Sequence, residues 1–355
     1  MVTAEKESEP AEKVTPKSLV LSRPDGFSSV VLASAVLEPA RQALPNTKLY
    51  LLIREDFAGL FCNHPALDGV IFLDEKAGLR ALARQFKAVH ADALAHLSYS
   101  EFVADAARLA KIQNIAAFES DIAAAHGDDG VTLEVIPSER EGDAHEGFFN
   151  FEALAPFGVP EIDKPQMSLA PDPAAKETAL DKLAEFGIEE TDYAVFCLDG
   201  NVYGHFVDSA VFSKAADFLR KIPLPVIVIG KKTDESTSRF LRFCRMTHGT
   251  HILDMRGKTS PEEAAWLLAE ARLCLSGENA YAYISAAVNC PLVALFVDFA
   301  GGRWFPLGYT TTNIFTGAHR RFFEPRFIFN RRVSRAFSNA KIFAALRFAL
   351  ALKEF

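Results

Sequence analysis

In "SRPDGFSSVVLASAVL" (residues 22–37), Asp25, Ser28 and Ser29 bracket Gly26 and Phe27 where an apolar run gives way to a helical pattern. A carboxylate in such a turn takes a proton from a hydroxyl, or it fixes the turn by bonding its own backbone. A serine hydroxyl acts as a base only when another group activates it. Three further stretches place polar groups after an apolar run. "GKKTDES" (230–236) sets Lys231, Lys232, Asp234 and Glu235 after Gly230, "SGENAYAYI" (276–284) sets Glu278, Asn279 and Ala280 after Gly277, and "CLDGNVYGHF" (197–206) holds Gly200, Asn201 and His205. The two lysines suit either a cleft mouth or a solvated turn. His205 is a lone loop histidine, a setting that is more often structural than ligating.

Short apolar runs alternating with helical patterns must position these groups. "SLVLS" (18–22), "KLYLLIR" (48–54), "GVIFLD" (69–74) and part of "AVHADALAHL" (88–97) read as strands, with helices over "SSVVLASAVLEPARQAL" and "SEFVADAARLAKI". The pattern blurs over 121–147, and the proline-rich "EIDKPQMSLAPDPAAKE" reads as a linker. Alternation resumes with strands at 193–198, 224–230, 251–255, 272–277 and 290–297. Strand, helix, strand at this spacing gives right-handed crossovers and a parallel sheet. The expectation is an α/β chain of two Rossmann-like domains facing across a cleft. It comprises a tail (1–17), a first domain (18–158), a linker (159–176), a second domain (177–317) and a basic, Phe-rich helical segment (318–355). Independently, "RGKTSPEE" reads as a helix start, with Thr259 or Ser260 as cap, Pro261 in the first turn, and Glu262 and Glu263 complementing the dipole.

The chain has 355 residues, enough for two cores, and a formal net charge of -8. That charge argues against a general nucleic-acid binder unless basic residues are segregated on one face. Cys62, Cys197, Cys244, Cys274 and Cys290 form no CxxC pair and read as reduced residues of a cytoplasmic protein, so no metal site and no cofactor are expected. No stretch has the length of a membrane span. From 318 onward, Arg320, Arg321, Arg326, Arg331, Arg332, Arg335, Lys341, Arg347 and Lys353 face only Glu324 and Glu354. "AKIFAALRFALAL" reads as an amphipathic helix that either closes on the other domain or approaches anionic headgroups at the inner membrane surface or a phosphorylated acceptor.

"ILDMRGKTSPEEAAWLLAEARLCLSGENAYAYISAAVNCPLVALF" (252–296) resembles the sugar-nucleotide transferases of glycosyltransferase family 9, the heptosyltransferases. "RPDGFSSVVLASAVLEPARQALPNTKLYLLIRE" (23–55), "HEGFFNFEALAPFGVP" (145–160) and "GGRWFPLG" (301–308) resemble further stretches of that family. The resemblance implies a GT-B arrangement and metal-independent, inverting transfer. The donor would be a nucleotide sugar, an ADP-sugar foremost, and the acceptor a glycan or lipid-linked glycan. It places the family's catalytic Asp at Ser29, leaving Asp25 as the nearest carboxylate. It assigns the donor side to Gly26, Gly200, Asn201, His205, Gly230, Lys231, Asp234, Glu235, Gly277, Glu278, Asn279, Ala280 and Tyr283. Here Ala280 stands for a glycine, Tyr283 for a histidine, and no lysine is present in 197–212. Two readings follow: a glycosyltransferase, or a degenerate relative that binds a nucleotide sugar or glycan, or acts as a scaffold for a partner, without turnover. A two-domain nucleotide-sugar epimerase would share the fold but has no motif here.

Overall fold

The computed structural model describes residues 14–118, the backbone of 132–136, and residues 145–188, 193–199, 207–222, 224–232, 237–242, 252–296, 304–316 and 337–352. Within them the chain forms two six-stranded sheets, with every strand pairing parallel.

The first sheet holds β1 (Ser18–Ser22), β2 (Lys48–Arg54), β3 (Gly69–Leu73), β4 (Ala93–His96), β5 (Asn114–Phe118) and β6 (Thr132–Ile136), in the order β3-β2-β1-β4-β5-β6. The second holds β7 (Ala194–Cys197), β8 (Val226–Val228), β9 (Ile252–Asp254), β10 (Leu273–Gly277), β11 (Leu292–Phe296) and β12 (Thr311–Phe315), in the order β12-β11-β10-β7-β8-β9. These are one doubly wound order repeated. In each sheet the direction of winding reverses between the first and fourth strands, and ligands of such folds bind outside the carboxyl ends at that place.

β1 is buried throughout because both faces of its sheet are covered. Leu19 and Leu21 face α1 (Phe27–Ala33), α2 (Leu37–Ala43) and α5 (Glu146–Glu152). Val20 faces α3 (Leu79–Ala88) and α4 (Glu101–Ala110). The helix expected over 28–44 is interrupted by a 3-10 turn at Ser34–Val36. Pro39 explains the break, since it has no amide to donate and its ring crowds the carbonyl of Ala35.

In the second half, α8 (Pro261–Glu270) and α9 (Ala280–Ala287) cover the face turned toward the first half. α7 (Ser209–Leu219) and α10 (Asn339–Leu352) cover the other face. α6 (Pro173–Ala184) packs on α8 and takes up the last residues of the expected linker, with Asp172 accepting from the Ala174 amide as its cap and Pro173 in its first turn. The remaining linker is stitched to both halves: Ala170 N donates to Leu60 O, and Gln166 Nε2 donates to Ala286 O.

The α8 start forms the expected capping box: Ser260 Oγ accepts from Glu263 N, and a Glu263 carboxylate oxygen accepts from Ser260 N. Arg256 grips Asp254, with Nε to Oδ1 at 2.9 Å and Nη2 to Oδ2 at 3.1 Å, and Lys258 Nζ donates to Asp254 O at 2.8 Å. Both cations of this motif are thus structural. α10 forms as expected but packs on β10, β11 and α7 rather than on the other half. Ile342, Leu346, Ala349 and Leu350 supply the buried stripe that fits this face. Of the cysteines, Cys197, Cys274 and Cys290 are buried thiols, Cys62 is an exposed one, and Cys244 lies outside the described residues. No described helix is long and apolar enough to cross a membrane.

Candidate functional site

Arg23 follows β1 at the winding reversal of the first sheet, and its guanidinium is buried. One Nη1 hydrogen bond goes to Leu97 O, just beyond β4, and another to Asn150 Oδ1 at 3.0 Å, while Nη2 donates to Glu146 Oε1 at 2.9 Å. Its Nε lies 2.9 Å from Asp25 Oδ1. A buried guanidinium persists only when its charge is offset, and here two carboxylates offset it while Nη1 and Nη2 donate to a carbonyl, an amide oxygen and the Glu146 carboxylate. Asp25 is therefore fixed by an arginine side chain, in place of the backbone bond that the turn alone suggested. It remains partly exposed at the mouth of the turn.

Beyond Asp25, Gly26 is exposed and takes the N-cap position of α1 in extended conformation. Ser29 is buried one turn in, its Oγ 4.0 Å from where a Cβ on Gly26 would stand. Phe27 meets Phe57 edge to face, ring centroids 5.0 Å apart. α1 packs on both α5 and α9, so the helix leaving this turn touches the helix leaving the corresponding turn of the second sheet.

That second turn lies at the ends of β7 and β10. Asn279 is the N-cap of α9, accepting from Tyr281 N at 3.0 Å through Oδ1. Its Nδ2 donates to Cys197 O at 3.3 Å and Asp199 O at 3.0 Å. One side chain thus caps the helix and ties two strands at the reversal point. Gly277 suits this closeness, since a Cβ there would lie 3.3 Å from Asp199 O, a tight contact that the neighbouring backbone would have to yield to. Gly230 has φ +141°, and a Cβ on it would meet Asp199 Oδ1 at 2.5 Å. Asp199 Oδ2 accepts from Lys231 N at 2.8 Å. The side chains of Lys231 and Lys232 are exposed, while Glu278 and Ala280 are half-buried at the turn.

Burial raises the phenols of Tyr281 and Tyr283, with Cys197 and Asp199 adding to the first and Glu278 to the second. Both stay protonated and neutral. Tyr283 is buried, so the position that the resemblance assigns to a histidine holds an uncharged ring here.

α5 joins the two halves. His145 caps it, Nδ1 accepting from Gly147 N at 3.0 Å, while Nε2 donates to Phe305 O at 2.8 Å. Burial lowers the His145 pKa, against the opposing pull of the Phe305 bond and Glu146. The imidazole is accordingly neutral and carries its proton on Nε2.

The structure thus gathers Asp25, Gly26 and Ser29 at one reversal point and Gly230, Lys231, Gly277, Glu278, Asn279 and Ala280 at the other, with Tyr283 in the helix beyond. Gly200, Asn201, His205, Asp234 and Glu235 lie outside the described residues. Sequence reasoning missed Arg23, Glu146, Asn150 and Asp199. Arg23 and Asp199 carried a signal, each being a charged residue directly beyond an apolar run that ends at a turn.

Glycosyltransferase family 9 (heptosyltransferase) matches residues 79–321. No curated protein matches the chain in sequence. Among solved structures, a glycosyl transferase family 9 protein from Veillonella parvula superposes with TM-score 0.74 at 16% identity, covering 94% of this chain and 97% of its own. E. coli ADP-heptose lps heptosyltransferase II superposes with TM-score 0.73 at 15% identity, covering 96% and 100%. E. coli heptosyltransferase WaaC, solved with ADP, gives 0.64 at 17% identity, covering 84% and 94%. These likenesses establish the GT-B fold, and the family match extends over most of the chain: it belongs to glycosyltransferase family 9, the heptosyltransferases.

Proposed function

We propose that this chain is an inverting, metal-independent glycosyltransferase. It moves a sugar, heptose by its family, from a nucleoside-diphosphate donor to a hydroxyl of a lipopolysaccharide-like or other lipid-linked glycan at the cytoplasmic side of a membrane. The observation that carries the reading is the packing of α1 against α9, which couples the two turns at the reversal points of their sheets. The E. coli relative solved with ADP supports an adenine nucleotide as the donor's carrier.

In this reading Asp25 Oδ2 takes the proton of the acceptor hydroxyl as its oxygen forms a bond to the anomeric carbon. The bond from that carbon to the diphosphate breaks on the opposite face. The departing diphosphate lies over the start of α9, where helix-end amides and the Lys231 and Lys232 ammonium groups offset its charge. Arg23 holds Asp25 in place, and buried Ser29 shapes the turn.

A second reading, binding without turnover, is favoured by one observation: Asn279 spends its whole side chain on partners within the fold, three backbone groups and the Ser276 hydroxyl. Calorimetric titration with ADP, UDP, GDP and their sugar conjugates separates the two, followed by transfer assays on any donor that binds. Micromolar binding of one nucleotide that Glu278→Ala abolishes, with transfer lost in Asp25→Asn and kept in Ser29→Ala, supports the enzyme. Binding with no transfer supports the second reading, and no binding by any nucleotide overturns the transferase and leaves a scaffold whose function lies on its surface.

A further inference from the structure

The outer face of the second sheet carries a composite surface that the site does not use. Phe212, Leu219, Ile342 and Leu346 of α7 and α10 point inward. Outward, Phe218 stacks on Phe343, ring centroids 5.1 Å apart and planes 14° apart. The Arg347 guanidinium lies over the Phe218 ring at 5.5 Å, and Phe348 is 58% exposed. Lys214 and Lys221 share the helical face of Phe218 by their spacing. With Arg220, Lys341 and Arg347 they are exposed, whereas neither helix exposes an acidic side chain and Asp217 is half-buried. In a chain of net charge -8, this is the segregation of basic residues that composition alone left open.

We propose that this α7 and α10 face docks on a membrane leaflet bearing anionic headgroups. Charge complementarity argues for that occupant. Basic side chains near an anionic leaflet bind its phosphates, and the field acts only within about 10 Å, so the acidic remainder of the molecule is screened from it. The apolar ring of Phe348 has a place at the boundary between headgroups and acyl chains, and Lys and Arg stems extend toward the headgroups around it. The inference identifies a surface for the membrane side named above, and it requires no donor.

The test is cosedimentation of the full chain with phosphatidylcholine vesicles, with and without phosphatidylglycerol. Binding is expected only to the anionic vesicles and should weaken as salt rises. It should fall about fivefold for each of Lys341→Ala and Arg347→Ala, and Phe348→Ser should weaken it without changing its salt dependence. Unchanged urea midpoints would show that the variants fold. Equal binding to neutral vesicles, no binding to either kind, or no response to the substitutions overturns the proposal. Tighter binding to RNA that ignores Phe348→Ser also overturns it, and marks a polyanion face instead. None of these measurements involves a nucleotide sugar, so failure here is distinct from failure of the transferase reading.

Discussion

Arg23 and Glu146 form an ion pair, Nη2 to Oε1 at 2.9 Å, with both side chains buried. The pair ties the Asp25 turn to α5, and through His145 to Phe305 of the second half. Removing one member strands the other charge, which typically costs about 3–5 kcal/mol. Arg23→Leu is expected to lower stability by that order in urea unfolding. Arg23→Leu combined with Glu146→Leu should cost less than the sum of the two single changes. A strictly additive double variant would show that the two groups do not interact.

Among the described residues, three buried histidines weaken the fold in acid. Burial lowers His64 and His96 to about 4, the latter against an opposing pull from the Ser98 backbone, and it lowers His145 as well. The unfolded chain binds protons on these rings near pH 6.5, where the folded one does not. Their contribution is therefore full above pH 6.5, falls as pH drops toward 4, and levels off below that. His64 and His96 should each account for roughly 3 kcal/mol of this loss. Urea midpoints measured from pH 7 to pH 4 check it, and His96→Phe should flatten the slope. An unchanged slope in that variant would mean that His96 takes up no proton on unfolding.

Gly230 combines a positive φ with contact to Asp199, a Cβ there meeting Oδ1 at 2.5 Å. Gly230→Ala is expected to cost about 1–3 kcal/mol, since strain of the backbone and displacement of a buried carboxylate coincide. Gly187 makes the comparison: it also has positive φ, but nothing lies within 4 Å of a Cβ there. Gly187→Ala should therefore cost clearly less, and equal losses in thermal melting would assign the whole effect to φ.

The contrast between legible and hidden features has a physical basis. β1, β2 and β11 could be read because strands covered on both faces are unbroken apolar runs. β5, "NIAAF", is rich in alanine, a residue with no strand preference, and β12, "TTNIF", is half-buried along its length and opens on threonines. α6 was hidden because its prolines read as linker, although Asp172 and Pro173 are start signals. The site was legible where it is local, as in the turn that sets Asn279 after Gly277. It was hidden where it is not: Glu146 and Asn150 lie 123 and 127 residues from the Arg23 they bind. No spacing rule reaches across that distance, and only the paired order of β1 and β4 creates the pocket they fill.

Asn279 offers the sharpest test of the second turn, because its two ends do different work. Oδ1 accepts from the Tyr281 amide and the Ser276 hydroxyl, while Nδ2 donates to the carbonyls of Cys197 and Asp199. Asn279→Ala removes both and should cost about 1–2 kcal/mol for the cap, plus the carbonyls left unmet. Asn279→Asp keeps a capping oxygen, and a carboxylate at a helix start is ordinarily favourable. Here its second oxygen would face two carbonyl oxygens beside the Asp199 carboxylate, so the change should destabilise at least as much as alanine. Urea unfolding of the two variants decides between these effects: if Asn279→Asp proves more stable than Asn279→Ala, then the cap dominates and the tie between β7 and β10 is dispensable.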